Sequence, residues 1–551
     1  MKMKKEESMF WADQLADAIA KRKHYNHLKK KWKNPTTLVI KSSTSISGVP
    51  HIGNASDVIR HYAVVQSLKE KGHKAKLLWV GEDMDPLRKV PTGIPASFKK
   101  YLGMPVADIP CPEGCCSSYS EHFCNKFANS LKDNFGIKLE MKRTSESYRK
   151  GEFYPSIKKI MNNLDTVREI INKSRKDPLP ESWIPWKPVC DKCGKLITTV
   201  VTGVNGDKVN YECRDYEFRV YGKEAYTRLK GCGHKGISDL KKGNGKMGWR
   251  VEWAMLWKTW NVVLEGAGKE HFMPTGSFWS AGEIAERVLD WIEPHPSKNP
   301  IQGYEYIMFD GEKMSASRGN VVATWEWPSL ALPETLKLFM LKKPNRERDM
   351  PLKNIYRGYD ELDLLEQIYF GKKTLQNQRE LNQAKRLYEM ALIKKPKFAK
   401  RIPYQYCTLL TQAVPNLDPK RIKVILDKTA YKLTKSEFNV AMDRINLTAG
   451  WAKKYLLKED RIVLNKTPPK ISISVSQKKA LLDLAKYLKT NCTEEQLFSQ
   501  IYIIIKTHEL NNREFFQLIY QILINKERGP RLAPFILAIG PDKVRKILEK
   551  T

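Results

Sequence analysis

The sequence predicts an α/β protein with a Rossmann-type parallel sheet early in the chain, a cysteine-bearing insertion, and an all-α region at its end. Three observations carry this. Leu38-Val39-Ile40-Lys41-Ser42 is a short apolar, β-branched run that breaks into Ser, Thr and Gly, after which Asp57 to Leu68 places apolar residues at helical spacing up to Gly72. Cys190, Cys193, Cys213 and Cys232 recur with the rhythm of a zinc ribbon. From about residue 361 onward few β-branched runs occur, and turn signals such as Asn416-Leu417-Asp418-Pro419 and Thr467-Pro468-Pro469 separate one helical stretch from the next.

Taken in order, a helix is expected from residue 10 to 24, leading into the first half of the sheet, so that residues 1–110 form one segment. Its second strand runs from Ala75-Lys76 through Leu77-Leu78-Trp79-Val80. Residues 111–245 form a connective insertion that holds the ribbon, and residues 246–310 return to the sheet, the division expected of an interrupted doubly wound domain. A loop around Lys313 opens a linking domain at 311–360, and a helical domain fills 361–551.

The formal net charge of +35 over 551 residues reads as a long-range field for a polyanion. Residues 351–551 hold about 38 Lys and Arg against about 20 Asp and Glu, so the excess is spread along the chain instead of being packed into one tail. That suits a large RNA lying across several domains. No run of eighteen apolar residues occurs, and Met1-Lys2-Met3-Lys4-Lys5-Glu6-Glu7 has no apolar signal region behind it, so a cytoplasmic protein is expected.

Ten cysteines, unevenly spaced, suit a reducing compartment with a metal site. In Cys190-Asp191-Lys192-Cys193-Gly194 a tight turn directs two thiolates at one ion, and Cys213 and Cys232 follow at about twenty-residue intervals; Cys232 is preferred to His234 as the fourth ligand of a structural Zn²⁺. Cys111, Cys115, Cys116 and Cys124 with His122 form a weaker group, for which free thiols are favoured over a second metal.

Two strings carry the chemistry. His51-Ile52-Gly53-Asn54 sits where the first strand gives way to a helix, whose N-terminus offers free N–H groups and a positive dipole to phosphate. Lys313-Met314-Ser315-Ala316-Ser317 follows about 260 residues later, with Arg318-Gly319-Asn320 behind it. An imidazole, an amide and an ammonium can stabilise charge that builds on phosphate oxygens, and Gly53 lets a purine lie against the backbone.

The two strings resemble the ATP signatures of class I aminoacyl-tRNA synthetases. Further segments are similar to the class I lysyl-tRNA synthetases: Phe10 to Ala20, Asp83-Met84-Asp85-Pro86-Leu87-Arg88-Lys89-Val90-Pro91, Ser118 to Phe123, Gly248 to Trp253, and Glu265-Gly266-Ala267-Gly268-Lys269-Glu270-His271. The resemblance implies His51, Asn54 and Lys313 as catalytic residues, with Gly53, Met314, Ser315 and Ser317 on ATP. It implies an amino-acid pocket of Ser43, Ser45, Trp249, His271 and Tyr304, in which an alkyl stem packs on aromatic rings and its charge lies near their faces. Glu270, Glu283 and Asp83 are candidate partners for the substrate ε-ammonium. The expected reactants are ATP with Mg²⁺, L-lysine and tRNA(Lys), and the helical end resembles an anticodon-binding cage.

Two positions depart from the family pattern: Ser43 replaces a Gly, and Trp279 stands near an expected acidic residue. The other readings are another class I synthetase, a non-catalytic tRNA-binding paralogue, and a nucleotidylyltransferase. The last of these has no need of some 190 residues of basic helices after its catalytic loops.

Overall fold

The early apolar runs become a four-stranded sheet of entirely parallel pairing. In chain order its strands are β1 (Leu38–Ser45), β2 (Ala75–Glu82), β3 (Glu140–Arg143) and β4 (Val262–Glu265), and in space they lie β4-β1-β2-β3. The computed structural model describes residues 10–219, 226–295, 303–305, 307–313, 321–350 and 352–551. Strand β1 pairs with β2 from Leu38↔Ala75 to Ser45↔Glu82 and with β4 through Ile40↔Leu264 and Lys41↔Glu265. Leu38, Val39, Ile40, Leu77, Leu78, Trp79, Val80, Val262, Val263 and Leu264 are all buried, as continuous apolar runs in a sheet covered on both faces should be.

Helix α1 (Trp11–Ala20) and helix α2 (Ile52–Glu70) pack on each other and on the sheet, and α2 buries Val58, Ile59, Ala63, Val64 and Leu68. Helix α3 (Tyr119–Phe135) leads to β3, which pairs in parallel with β2 through Leu78↔Glu140 to Gly81↔Arg143. The catalytic sheet therefore runs past residue 110, and part of the segment assigned by sequence to the insertion is its edge. Gly81 is needed where α3 crosses β2, since a Cβ there would meet the Cys124 sulfur at 2.5 Å.

The insertion proper carries the antiparallel strands Thr199–Asn205, Lys208–Cys213 and Lys235–Asp239. Helices α4 (Trp249–Thr259) and α5 (Ser277–Arg287) flank β4. A smaller sheet follows, in which Ile307–Phe309 pairs antiparallel with Glu312–Lys313 and parallel with Arg348–Met350.

Two compact units divide the chain. The first comprises Met1–Trp327, Leu336–Pro351 and Thr374–Lys395; the second comprises Pro328–Thr335, Leu352–Lys373 and Pro396–Thr551. Helix Gln378–Ala391 lies in the first unit, not with the C-terminal helices, because Arg386 donates to Asp13 at 3.0 and 2.8 Å and to Glu70 at 2.6 Å.

The second unit is helical throughout its described residues, from Tyr356–Tyr369 to Pro541–Leu548. Its core takes Leu410, Ile422, Ile445, Leu484, Ile519 and Phe535 from successive helices. Arg444, 3% exposed, forms a bidentate pair with Asp363 at 2.7 and 2.5 Å and donates to the Ile402 carbonyl at 2.9 Å. Removing the carboxylate alone leaves a buried guanidinium uncompensated. Asp363→Ala should therefore destabilise the unit by about 3 kcal/mol or more in urea unfolding; a change below about 1 kcal/mol would show that the pair is dispensable.

Candidate functional site

The carboxyl ends of β1, β2 and β4 open into a cleft of about 440 Å³, the place where parallel sheets bind ligands. His51 and Asn54 stand at its rim because they cap α2. His51 is the N-cap in extended conformation, its Nδ1 accepting from Gly53 N–H at 3.0 Å while its own N–H donates to Asn54 Oδ1 at 3.0 Å. With Nδ1 an acceptor, the neutral ring carries its proton on Nε2. Burial pushes the His51 pKa down to about 4, so at neutral pH it is an uncharged N–H donor. Asn54 spends its carbonyl on the cap and keeps its amide N–H₂ for a ligand.

Of the residues marked by sequence, Ser43, Ser45, His51, Gly53, Asn54, Trp249, His271 and Tyr304 all line this cleft. Ser43 Oγ lies 3.3 Å from Glu265, and Ser45 Oγ donates to Asp85 at 2.6 Å. Trp249 stacks on Trp253 at 4.6 Å between centroids; Trp253 is buried, whereas Trp249 is 39% exposed and forms the wall. His271 sits against both rings at 5.8 and 5.3 Å, held by Ser277 at 2.8 Å, and burial lowers its pKa. Tyr304 is buried with the Arg60 guanidinium 4.5 Å from its ring centroid.

Lys313 ends its short strand, and its side chain, with Met314, Ser315 and Ser317, lies outside the described residues. The chain beyond them returns to the His51 turn, where Ile52 N–H donates to the Val322 carbonyl at 3.0 Å. Trp279 does not line the cleft: its indole donates to the Phe272 carbonyl at 3.1 Å and its ring packs on Phe272 and Phe278.

The floor is built from charges that belong to no motif. Lys41 and Glu265 form a fully buried pair at 2.7 Å, and the same carboxylate accepts from Trp253 at 3.0 Å and Trp257 at 2.5 Å. Beside it Glu82 is buried, and its Oε1 has no hydrogen-bond partner among the described residues. Burial pushes the Glu82 pKa up to about 7, with Lys41 pulling it down and Asp85 and Glu252 pushing it further up.

The three carboxylates proposed from sequence for the ε-ammonium divide. Asp83 accepts from Ser120, Thr144 and Ser145 and is saturated away from the cleft. Glu283 pairs with Lys173 at 2.6 Å and Arg287 at 2.8 Å, also elsewhere. Glu270 lines the cleft.

In the insertion the sulfurs of Cys190, Cys193, Cys213 and Cys232 lie within 4.8 Å of one another, with Cys190–Cys232 at 3.6 Å and Cys193–Cys213 at 3.7 Å. Four thiolates about 2.3 Å from a zinc ion are separated by about 3.8 Å, so the set fits tetrahedral Zn²⁺. His234 is not among the four. Cys111, Cys115, Cys116 and His122 converge equally well, with Cys115 3.1 Å from His122 Nδ1. Cys124 is not part of it, being packed beneath Gly81.

A parallel sheet with a cleft at the carboxyl ends of its strands defines an α/β fold of the nucleotide-binding type. The family described as "tRNA synthetases class I (K)" matches residues 9–394, and the chain belongs to it. A "Lysine--tRNA ligase" of Methanosphaera stadtmanae is 31% identical over 98% of this chain and 99% of its own length. One of Methanocaldococcus jannaschii is 33% identical over 97% and 98%, and one of Pyrococcus horikoshii 31% identical over 98% and 99%.

Both cysteine groups should be metal sites. Elemental analysis of the purified protein is expected to find two zinc ions per chain, falling by one in Cys190→Ala and by one in Cys115→Ala; a wild-type content of one or none would remove one or both assignments.

Proposed function

We propose that the cleft activates L-lysine with ATP and that the chain then transfers it to tRNA(Lys). The single observation that carries this is the near full-length similarity to the archaeal enzymes named above, joined to a cleft whose free acidic floor and aromatic wall suit an alkylammonium. Lysine's carboxylate attacks the α-phosphorus of ATP, pyrophosphate leaves, and the lysyl-adenylate is attacked in turn by the terminal ribose 2′-hydroxyl of the tRNA. ATP enters with Mg²⁺, which neutralises part of the triphosphate charge.

The protein's own groups do the rest by position and field. His51 Nε2–H and the Asn54 amide point donors at the phosphates from the N-terminus of α2, and Lys313, with Met314, Ser315 and Ser317, stabilises the pyrophosphate. Trp249 and His271 receive the aliphatic stem, while Ser43, Ser45 and Tyr304 shape the pocket. Glu265 is neutralised by Lys41 and by two indoles, so the ε-ammonium falls to Glu82, whose unpaired Oε1 lies in the same floor. The structural Zn²⁺ of Cys190, Cys193, Cys213 and Cys232 would hold the insertion in shape.

Amino-acid-dependent ATP–pyrophosphate exchange, with and without tRNA, tests the reading. Exchange with lysine is expected; exchange with another amino acid would move the chain to another specificity, and silence with folded protein would leave a tRNA-binding paralogue. Lys313→Ala should slow exchange roughly a hundredfold with little change in lysine binding. Glu82→Gln should raise the lysine KM by roughly ten- to a hundredfold with a smaller effect on kcat. Because ammonium binding needs the carboxylate, and the carboxylate forms above a pKa of about 7, wild-type lysine affinity should weaken as pH falls from 8 to 6. The same pH dependence surviving in Glu82→Gln would assign it to another group.

A further inference from the structure

The His51 turn is held from behind by a strap of chain that the chemistry above does not use. Ile52 N–H donates to the Val322 carbonyl at 3.0 Å, and His51 forms a β-bridge with Ala323. Val322 and Ala323 are buried, and Ala323 N–H donates to Glu326 at 3.0 Å where the strap enters the helical turn Thr324–Ser329. The strap therefore sets where the N-cap of α2 lies. Trp325, half-buried, comes two residues after Ala323.

Two links join Trp325 to the Cys111 group. The first is aromatic: Phe123, buried on α3, lies face to face with Trp325 at 6.5 Å between centroids and 28° between planes. Phe123 directly follows His122 and packs on its ring at 4.7 Å. The second link is ionic. His122 turns Nδ1 to the thiols, and its Nε2 lies 3.4 Å from Glu113 Oε1, the carboxylate arrangement that orients a metal-bound imidazole. The same Glu113 oxygen lies 3.4 Å from Lys126 Nζ, and that ammonium stands 4.9 Å over the Trp325 ring. Gly114, at φ 70°, makes the tight turn that lets Cys111 and Cys115 reach the same point as His122. An ion bound there would fix His122 and Glu113 together, and through them both faces on which Trp325 rests.

We propose that Trp325 is a positioning residue for His51, and that the metal group of Cys111, Cys115, Cys116 and His122 holds Trp325 in place. Trp325 and the metal ligands act on the reaction only through the backbone of Val322 and Ala323. A donor displaced by about 1 Å loses roughly a hundredfold in rate, so a brace behind the N-cap has a direct kinetic consequence. That consequence rests on the aminoacylation reading; the brace itself does not.

Hydrogen–deuterium exchange of the full chain, read at the Ile52 amide, tests the brace without any turnover. Trp325→Ala should speed deuteration of Ile52 by at least about tenfold, Trp325→Phe should restore protection, and Cys115→Ala, having lost one zinc, should speed it likewise. Trp325→Leu keeps apolar bulk without the ring faces and should behave as Trp325→Ala does. In lysine-dependent pyrophosphate exchange, Trp325→Ala should lower kcat about tenfold with the lysine KM within about twofold, and Trp325→Phe should recover it. The double variant Trp325→Ala with Cys115→Ala should fall no further than the lower single variant, because the two act along one line of contacts. Thermal unfolding separates loss of the brace from loss of the fold. Unchanged protection of Ile52 in folded Trp325→Ala or Trp325→Leu would overturn the proposal. Unchanged protection in Cys115→Ala, a wild type without zinc at this group, or an additive double variant would remove the metal from it. A wild type whose Ile52 protection responds but which shows no turnover with lysine would keep the brace and discard the catalytic reading, and turnover with Ile52 protection unmoved would do the reverse.

Discussion

The buried pair of Lys41 and Glu265 is the constraint on which the catalytic unit depends. Two charges withdrawn from water cost several kcal/mol each unless every donor and acceptor is satisfied. Here the carboxylate takes an ammonium and two indole N–H groups, and a Ser43 hydroxyl lies 3.3 Å away. Those contacts tie β1 to β4 at their carboxyl ends and fix Trp253, on which Trp249 stacks. The wall of the cleft is therefore set by the floor. The same pair also decides the local electrostatics, for Glu265 is already neutralised and Glu82 is left as the floor carboxylate whose Oε1 has no hydrogen-bond partner among the described residues.

The cap of α2 shows the same economy. A helix start must satisfy its first N–H groups, and His51 and Asn54 do so reciprocally. In doing so they lock one imidazole tautomer and one amide orientation, leaving a neutral N–H and an N–H₂ unused by the cap at the rim of the cleft. Burial keeps the imidazole uncharged, so its donation does not vary with pH across the physiological range.

How far the sequence could be read depends on the range of each interaction. Strands β1 and β2 are apolar runs, and the His51 and Cys190 patterns are local, so all were legible, while the return to the sheet was placed within 246–310 without its strand. Strand β3 was not, because Glu140-Met141-Lys142-Arg143 is a half-exposed sheet edge with no apolar run to mark it. Lys41 and Glu265 are charges at the ends of apolar strands, a signal that gains meaning only when register places them side by side. The Arg386 contacts with Asp13 and Glu70 span over 300 residues, which hid the true place of helix Gln378–Ala391. In the Cys111 group, Cys124 is close in sequence, but α3 turns it under Gly81, while His122, two residues earlier on another face of the helix, meets the thiols.

A chain with net charge +35 must manage its excess in two ways. Where a cation is buried, as at Lys41, Lys246 and Arg444, it is matched by carboxylates within hydrogen-bonding distance. Where it is exposed, as at Arg531, 3.4 Å from Glu494, water screens the charge and a single loose pairing suffices. Acidic groups are then scarce, and those placed in a cavity without full compensation stand out. Glu82 is of this kind: its Oε1 has no hydrogen-bond partner among the described residues, and it lies in the same cleft as the Trp249 and His271 rings, so the floor is left able to accept from a ligand that brings its own N–H.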